Sequence, residues 1–252
     1  MQVGQSKRGI LTFAHGISVQ RFQPKGWDGY SLIDSGDGMK LERFGDVTVI
    51  RPEVTAMWHP ALSRGEWKAQ AQAEFVQDGA RSGRWKTYAK VPDQWTITYD
   101  QRPLRLRFGL QLTRFKHLGL FPEQAANWQF IHEQVQRIGP KAKVLNLFAY
   151  TGGASLAAKA AGAEVTHVDS IRQVVDWTRS NMELSKLDGI RWVVEDALKF
   201  VEREAKRGNK YHGIVMDPPT YGITPGKGNK KWKLEDQLLN LLEAAGRLLE
   251  RE

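Results

Sequence analysis

The 252 residues include no cysteine. That excludes disulfides, cysteine-ligated metals and a cysteine nucleophile within this chain. No apolar run approaches the roughly 20 residues of a membrane span, and the first residues lack the apolar core of a signal peptide. A cytoplasmic setting with no membrane partner is expected. His15, His59, His117, His132, His167 and His212 show no metal-ligand spacing, so no metal is expected. Acidic residues are in short supply: 28 Asp and Glu stand against 37 Lys and Arg, a formal charge of +9. Such a surplus favours polyanionic partners, RNA above all, although a merely soluble basic protein has the same total.

The texture of the chain changes between its halves. Before residue 110 it is short β-type runs: "DVTVIRP" at 46–52, "RWKTYAKVP" at 84–92, "WTITYD" at 95–100 and "LRLRFGLQLT" at 104–113. "SGDGMKLERFG" at 35–45 has the Gly and Asp of a hairpin turn. "GEWKAQAQAEFVQDG" at 65–79 fits either a strand or a short helix. Residues 1–112 are thus expected to form a β-rich domain, a candidate for substrate or RNA binding. Its Trp58, Trp67, Trp85 and Trp95 suit a stacking surface or, as the favoured reading, core packing. From 113 to 252 the pattern is different. Pro122 opens a helical run that Gly139-Pro140 closes. Strands are then expected at 143–149, 164–168, 190–194 and 212–216, with helices at 153–161, 171–186, 197–207 and 234–251. The first and fourth strands are continuously apolar, as in a parallel sheet covered on both faces. Alternation of this length predicts an α/β class, Rossmann-like doubly wound domain after the β-rich one.

Ligands in such domains bind at the carboxyl ends of the strands. Here those ends are "FAYTGG" at 148–153, Asp169 with Ser170, Asp196 in "VVEDA", and "DPP" at 217–219. Gly152 and Gly153 let backbone approach a ligand. Asp169 stands where a carboxylate accepts both hydroxyls of a ribose, and Asp196 close to where an adenine would lie. Each has an ordinary alternative: a tight turn for the glycines, a helix N-cap for Ser170 or Asp196. The first turn has neither G-x-G-x-x-G nor G-x-x-x-x-G-K-[ST], which argues against a dinucleotide and a nucleotide-dependent oxidoreductase. S-adenosylmethionine (SAM) fits a ligand with ribose and adenine but no phosphate held there.

"LNLFAYTGGASLAAKAAGAEVTHVDSIRQVVDWTRSNMELSKL", "ED" and "YHGIVMDPPTYG" together resemble the class I SAM-dependent methyltransferases, specifically the group of the large-subunit ribosomal RNA cytosine-C5 methyltransferases. "TRFKHLGLFPEQAANWQFI" at 113–131 resembles the segment that precedes that group's catalytic domain. The resemblance implies that Phe148, Ala149, Tyr150 and Gly152 line the methionine and ribose of SAM. It puts Asp169 on the ribose hydroxyls, with Ser170 beside it, and Asp196 on the adenine amino group. Asp217, Pro218 and Pro219 then sit beside the transferred methyl, and Phe121 and Gln124 close the pocket.

Two departures bear on this expectation. Thr220 stands where the group commonly has Lys after "DPP", followed by Tyr221. The chain also ends in the helix after the fourth strand, where a seven-stranded sheet would continue, and the group's nucleophilic Cys lies beyond that point. A truncated chain is the expectation, with an exposed sheet edge open to self-association or a homo-oligomer. Chemically, Asp217 and the Pro218 carbonyl suit an exocyclic amino group of a base, with Tyr221 stacked on it. "GITPGKGNKKWK" at 222–233, with Lys227, Lys230, Lys231, Lys233 and Trp232, suits RNA or is a solvated loop. The function expected is methyl transfer from SAM to a nucleobase of RNA, ribosomal in the first instance; a non-catalytic SAM- or RNA-binding module is the alternative.

Overall fold

The computed structural model describes residues 27–79, 82–223 and 231–250, together with three short strands nearer the N-terminus. Those strands, β1 (Gly4–Gln5), β2 (Ile10–Thr12) and β3 (Ser18–Gln20), pair antiparallel in chain order. Next, β4 (Tyr30–Gly36), β5 (Met39–Phe44), β6 (Val47–Pro52), β7 (Ala73–Gln77) and β8 (Gly83–Thr87) form a five-stranded sheet, also in chain order. The expected hairpin at 35–45 is β4–β5. Its turn has Asp37 at φ 49° and Gly38 at φ 74°, the left-handed pair whose twist matches the flanking strands.

The ambiguous stretch at 65–79 forms both elements. Helix α1 (Arg64–Gln70) opens on a capping box: the Glu66 amide donates to the Ser63 hydroxyl at 3.3 Å, and the Ser63 amide donates to the Glu66 carboxylate at 2.8 Å. The helix carries the chain across so that β7 pairs parallel with β6. The strand expected at 84–92 stops at Thr87, because the Tyr88 and Ala89 amides turn to the Gln72 carbonyl.

A second hairpin, β9 (Trp95–Gln101) with β10 (Leu104–Leu110), alternates as its sequence does. Leu104, Leu106, Phe108 and Leu110 are buried while Arg105 and Arg107 face out. The strand ends three residues before the expected 113, where the Gln111 amide bonds the Leu118 carbonyl and a loop begins.

A 3-10 turn at Pro122–Gln124 leads into α2 (Ala125–Ile138), which ends at Gly139 with φ 101°. Then follow β11 (Lys143–Leu147), α3 (Gly153–Ala160), β12 (Glu164–Asp169), α4 (Arg172–Leu184), β13 (Ile190–Val194), α5 (Ala197–Lys206) and β14 (Gly213–Met216). The four strands form a parallel sheet in the order β13-β12-β11-β14, which is one half of a doubly wound fold. A small hairpin, β15 (Tyr221–Ile223) with β16 (Lys231–Lys233), precedes α6 (Leu234–Gly246).

The period of two sorts the sheet's side chains. Val144 and Val165 pack with α2, α3 and the β9–β10 hairpin. Leu145, Leu147 and Val168 pack on the other face with Phe200 and Val201 of α5 and Leu241 and Ala245 of α6. The interior strand β11 is buried from Val144 to Leu147, as expected, but β14 at the edge is only half-buried along its length. The helix expected to reach 251 ends at Gly246. Beyond it the Leu248 carbonyl accepts from the Tyr211 amide at 2.8 Å and the Glu250 amide donates to the Tyr211 carbonyl at 2.9 Å, so the chain pairs alongside the entry to β14.

The change of pattern near residue 112 is not a break in the core. Trp128 of α2 meets Trp27, Tyr99 and Phe108 with ring centroids 5.8, 5.5 and 5.0 Å away. Trp177 Nε1 donates to the Gly109 carbonyl at 2.9 Å, and Asn181 Oδ1 accepts from the Gly109 amide at 2.9 Å. These bonds strap β10 onto α4. The tryptophans largely follow the core reading. Trp67 is buried and donates to Asp34, while Trp85 and Trp95 donate to the carbonyls of Thr113 and Phe44. Trp58 differs: it is 57% exposed.

Candidate functional site

The four strand ends and the segment before α2 enclose a crevice of about 610 Å³. Phe148, Ala149, Tyr150 and Gly152 line it from the first strand end, Asp169 and Ser170 from the second, Asp196 from the third, and Asp217, Pro218 and Pro219 from the fourth. Phe121 and Gln124 close it from the side. The fold therefore brings these positions to one place. Tyr221 is the exception. It does not line the crevice; its neighbour Gly222 does, and its own ring is 55% exposed on β15.

The first turn is built tightly. Phe148 and Tyr150 adopt φ of 53° and 50°, a left-handed backbone that is uncommon outside glycine and is found where tertiary contacts enforce it. The enforcing contacts are visible. The Thr178 hydroxyl donates to the Tyr150 carbonyl at 2.8 Å, Asn181 Nδ2 donates to the Thr151 carbonyl at 3.0 Å, and the Thr151 hydroxyl donates to the Gly119 carbonyl at 2.6 Å. Gly152 has φ 89°, and a Cβ there would lie 2.1 Å from Thr178 Cγ2. At Gly153 a Cβ would lie 2.6 Å from the Trp128 indole. Both glycines are required by the packing, and they leave bare backbone facing the crevice at the start of α3.

Among the amides that hold Asp169, Tyr150 N reaches Oδ2 at 3.0 Å and Ile171 N reaches Oδ1 at 2.9 Å. Burial raises its pKa above the usual carboxylate value, and the amides of Ile171, Tyr150 and Ser170 oppose that rise. Ser170 is not a helix cap, since α4 has Ile171 at its N-cap position. Asp196 is one: Oδ1 accepts from the Lys199 amide at 3.1 Å at the start of α5, while the residue also lines the crevice. Asp217 is tied across the crevice by Gln124 Nε2 at 3.2 Å, and Asn127 Nδ2 donates to Gln124 Oε1 at 2.7 Å, which fixes the amide's orientation. The Phe121 ring meets Tyr150 at 5.2 Å and His117 at 5.1 Å. Burial pushes the Tyr150 hydroxyl up to about 12.

Trp232 corrects the expectation for the basic loop. It is 5% exposed, its Nε1 donates to the Pro219 carbonyl at 2.6 Å, and its ring meets Phe148 at 5.0 Å. It braces the "DPP" turn from inside and offers no face to a nucleobase. Lys227 and Lys230 lie outside the described residues, as does the side chain of Lys231. Lys233 Nζ lies 3.9 Å from Asp236. Among the described residues no group of side chains suited to a metal occurs, and no helix is long and apolar enough to cross a membrane.

One polar device escaped the sequence reading. Asn146 lines the crevice from within β11 and donates Nδ2 to the Ser155 hydroxyl at 2.9 Å. Ser155 lies 2.9 Å from His167 Nδ1, and burial lowers the His167 pKa to about 3, so the ring is neutral. The Ser155 hydroxyl accepts from Asn146 Nδ2, and the direction of its bond to Nδ1 is set by which tautomer the neutral His167 ring holds. Asn146 keeps Oδ1 as an acceptor. Asn in the apolar run "VLNLF" was the available signal, because a polar residue inside a buried strand needs a partner.

A family model described as S-adenosylmethionine-dependent methyltransferase matches residues 68–249. Over 219 residues the chain is 40% identical to ribosomal RNA large subunit methyltransferase I of Shigella flexneri, a match covering 79% of this chain and 53% of that protein. Over 145 residues it is 33% identical to ribosomal RNA large subunit methyltransferase K/L of Pseudoalteromonas atlantica, covering 57% of this chain and 20% of that protein. The chain thus spans about half the length of the first and a fifth of the second. The crystal structure of a SAM-dependent methyltransferase from Agrobacterium tumefaciens superposes with a TM-score of 0.82 at 40% identity, covering 91% of this chain and 72% of that one.

Proposed function

This chain belongs to the S-adenosylmethionine-dependent methyltransferase family, and we propose that it transfers a methyl group from SAM to a nucleobase of RNA, ribosomal RNA in the first instance. The observation that carries this reading is the crevice in which four strand ends present a bare backbone turn, two carboxylates and the "DPP" turn. The residues fit the cofactor. The Asp169 carboxylate accepts from the amides of Tyr150, Ile171 and Ser170 and keeps lone-pair capacity for a ribose hydroxyl. Asp196 and Asn146 both line the crevice, where Asp196 would accept from the adenine amino group and Asn146 Oδ1 from the ammonium of the methionine end. The glycine backbone at 152–153 leaves room for that end.

Bound SAM supplies an electrophilic methyl on its sulfonium. The chain's own residues place the acceptor in line with it, and placement supplies much of the rate. Asp217, oriented by Gln124, and the Pro218 carbonyl accept hydrogen bonds from an exocyclic amino group of the base. The finer reading is cytosine C5. That atom becomes nucleophilic when a thiolate adds to C6, and the 252 residues hold no cysteine, so the thiolate must come from outside them.

Incubation with methyl-tritiated SAM and bulk ribosomal RNA tests the reading, with calorimetry for SAM and for NAD beside it. SAM binding without NAD binding, and label recovered in RNA, are the expected results. Label recovered only in protein or a small molecule would overturn the RNA assignment, and NAD binding in place of SAM would overturn the cofactor. Asp217→Asn is expected to keep SAM affinity while losing transfer.

A further inference from the structure

We infer that Phe115 is a stacking platform for an unpaired base of the RNA, set between two phosphate-binding cations at the lip of the crevice. The inference rests on the RNA reading above and deepens it. Four observations carry it. First, the ring is 60% exposed, while Leu118 and Leu120 of the same loop are buried.

Second, the loop is rigid. The Thr113 hydroxyl lies 3.1 Å from the Phe115 amide, which donates to it, and 2.6 Å from the His117 carbonyl, to which it donates. Trp85 Nε1 donates to the Thr113 carbonyl at 2.8 Å, and Arg51 Nη1 donates to the Lys116 carbonyl at 3.1 Å. An aromatic held out by a pinned backbone loses little entropy when a base settles on it, which is how binding surfaces are preorganised.

Third, the loop adjoins the site. One hydroxyl, that of Thr113, reaches both Phe115 and His117, and His117 lines the crevice against Phe121. A base on Phe115 is therefore a near neighbour of a base in the crevice.

Fourth, the charge suits a nucleic acid. Arg114 and Lys116 flank the ring in sequence, and Arg114 is exposed and forms no ion pair among the described residues. Arg51, Lys116 and Lys40 are close enough to add to burial in lowering the His117 pKa to about 4. An exposed π-face beside the exposed Arg114 and the half-buried Lys116, whose Nζ also donates to the Pro52 carbonyl at 3.4 Å, matches the alternating bases and phosphates of a single strand better than it matches the apolar core of a protein interface.

The experiment compares wild type with Phe115→Ala, Phe115→Leu and Phe115→Trp. Binding of a short single-stranded RNA carrying one 2-aminopurine is followed by fluorescence, and SAM affinity by calorimetry. Loss of one base–aromatic stack predicts a fall in RNA affinity of roughly 5- to 150-fold for Phe115→Ala, with SAM affinity unchanged. Phe115→Leu should remain as weak as Phe115→Ala, and Phe115→Trp should restore binding and deepen the quenching. Wild-type RNA affinity in Phe115→Ala would overturn the platform and leave the RNA reading intact. Full binding by Phe115→Leu would overturn stacking in favour of a plain apolar contact. Absence of RNA binding by the wild type itself would overturn the RNA reading and the platform with it.

Discussion

Gly152→Ala should damage both the fold and the cofactor site, and the structure gives the size of the effect. Two costs add. Holding alanine at φ 89° means a left-handed backbone, worth roughly 1–2 kcal/mol for a residue with a Cβ. The new Cβ would also lie 2.1 Å from Thr178 Cγ2, a clash the backbone must relieve by moving, and overpacking of this kind costs about 1–3 kcal/mol. The expected destabilisation is thus on the order of 2–5 kcal/mol. Relief by movement would disturb the Thr178 bond to the Tyr150 carbonyl, and with it the turn that faces the ligand. Urea denaturation and SAM calorimetry on the single variants and on Gly152→Ala/Thr178→Ser separate the two costs. Serine removes the clashing methyl and keeps the hydroxyl, so the double variant should recover the steric part and leave the backbone part. A Gly152→Ala protein within about 0.5 kcal/mol of wild type, the range of neutral surface changes, would refute the reasoning.

Asp169→Ala should weaken SAM by about 1.5–3 kcal/mol through loss of charge-assisted bonds, read by calorimetry on a folded variant. Because burial raises the Asp169 pKa and the acceptor role needs the ionised form, SAM affinity should decline on acidification through that raised pKa, a limb that Asp169→Asn should lack. Ser155→Ala strands the Asn146 amide and His167 Nδ1 in a buried site, so a loss of about 1–3 kcal/mol is expected in urea titrations; an unshifted midpoint would mean that the relay contributes nothing. Burial alone would raise the pKa of fully buried Glu204, but hydrogen bonds from Arg191, Asn209, Tyr211 and Arg207 overcome it and hold the carboxyl at about 2. A depressed folded pKa gives stability that is present above the ordinary carboxylate range and lost as pH falls toward 2, so Glu204→Gln should flatten the acid limb of the stability profile over that window.

Most of the elements and the order of the strand ends were legible in the sequence. Periodicity is local, so the alternation of "LRLRFGL" and the apolar run "VLNL" reported their strands directly, and Asp169, Asp196 and Asp217 fell at carboxyl ends because strand length fixes where a strand stops. The sequence did not determine which residues the ends would meet. Trp232 sits in a stretch of lysines and glycines yet packs on Phe148, since its burial depends on a hairpin folding back over the "DPP" turn. The region 65–79 carries both helical and strand signals, and a capping box with a parallel partner strand divided it. Asn146, Ser155 and His167 are separated along the chain by a helix and joined by register, because β11 and β12 place Asn146 opposite His167. The left-handed turn at Phe148 and Tyr150 has no local cause, for neither residue favours it. Hydrogen bonds from Thr178 and Asn181 on α4 impose it, and only the tertiary structure brings that helix to the turn.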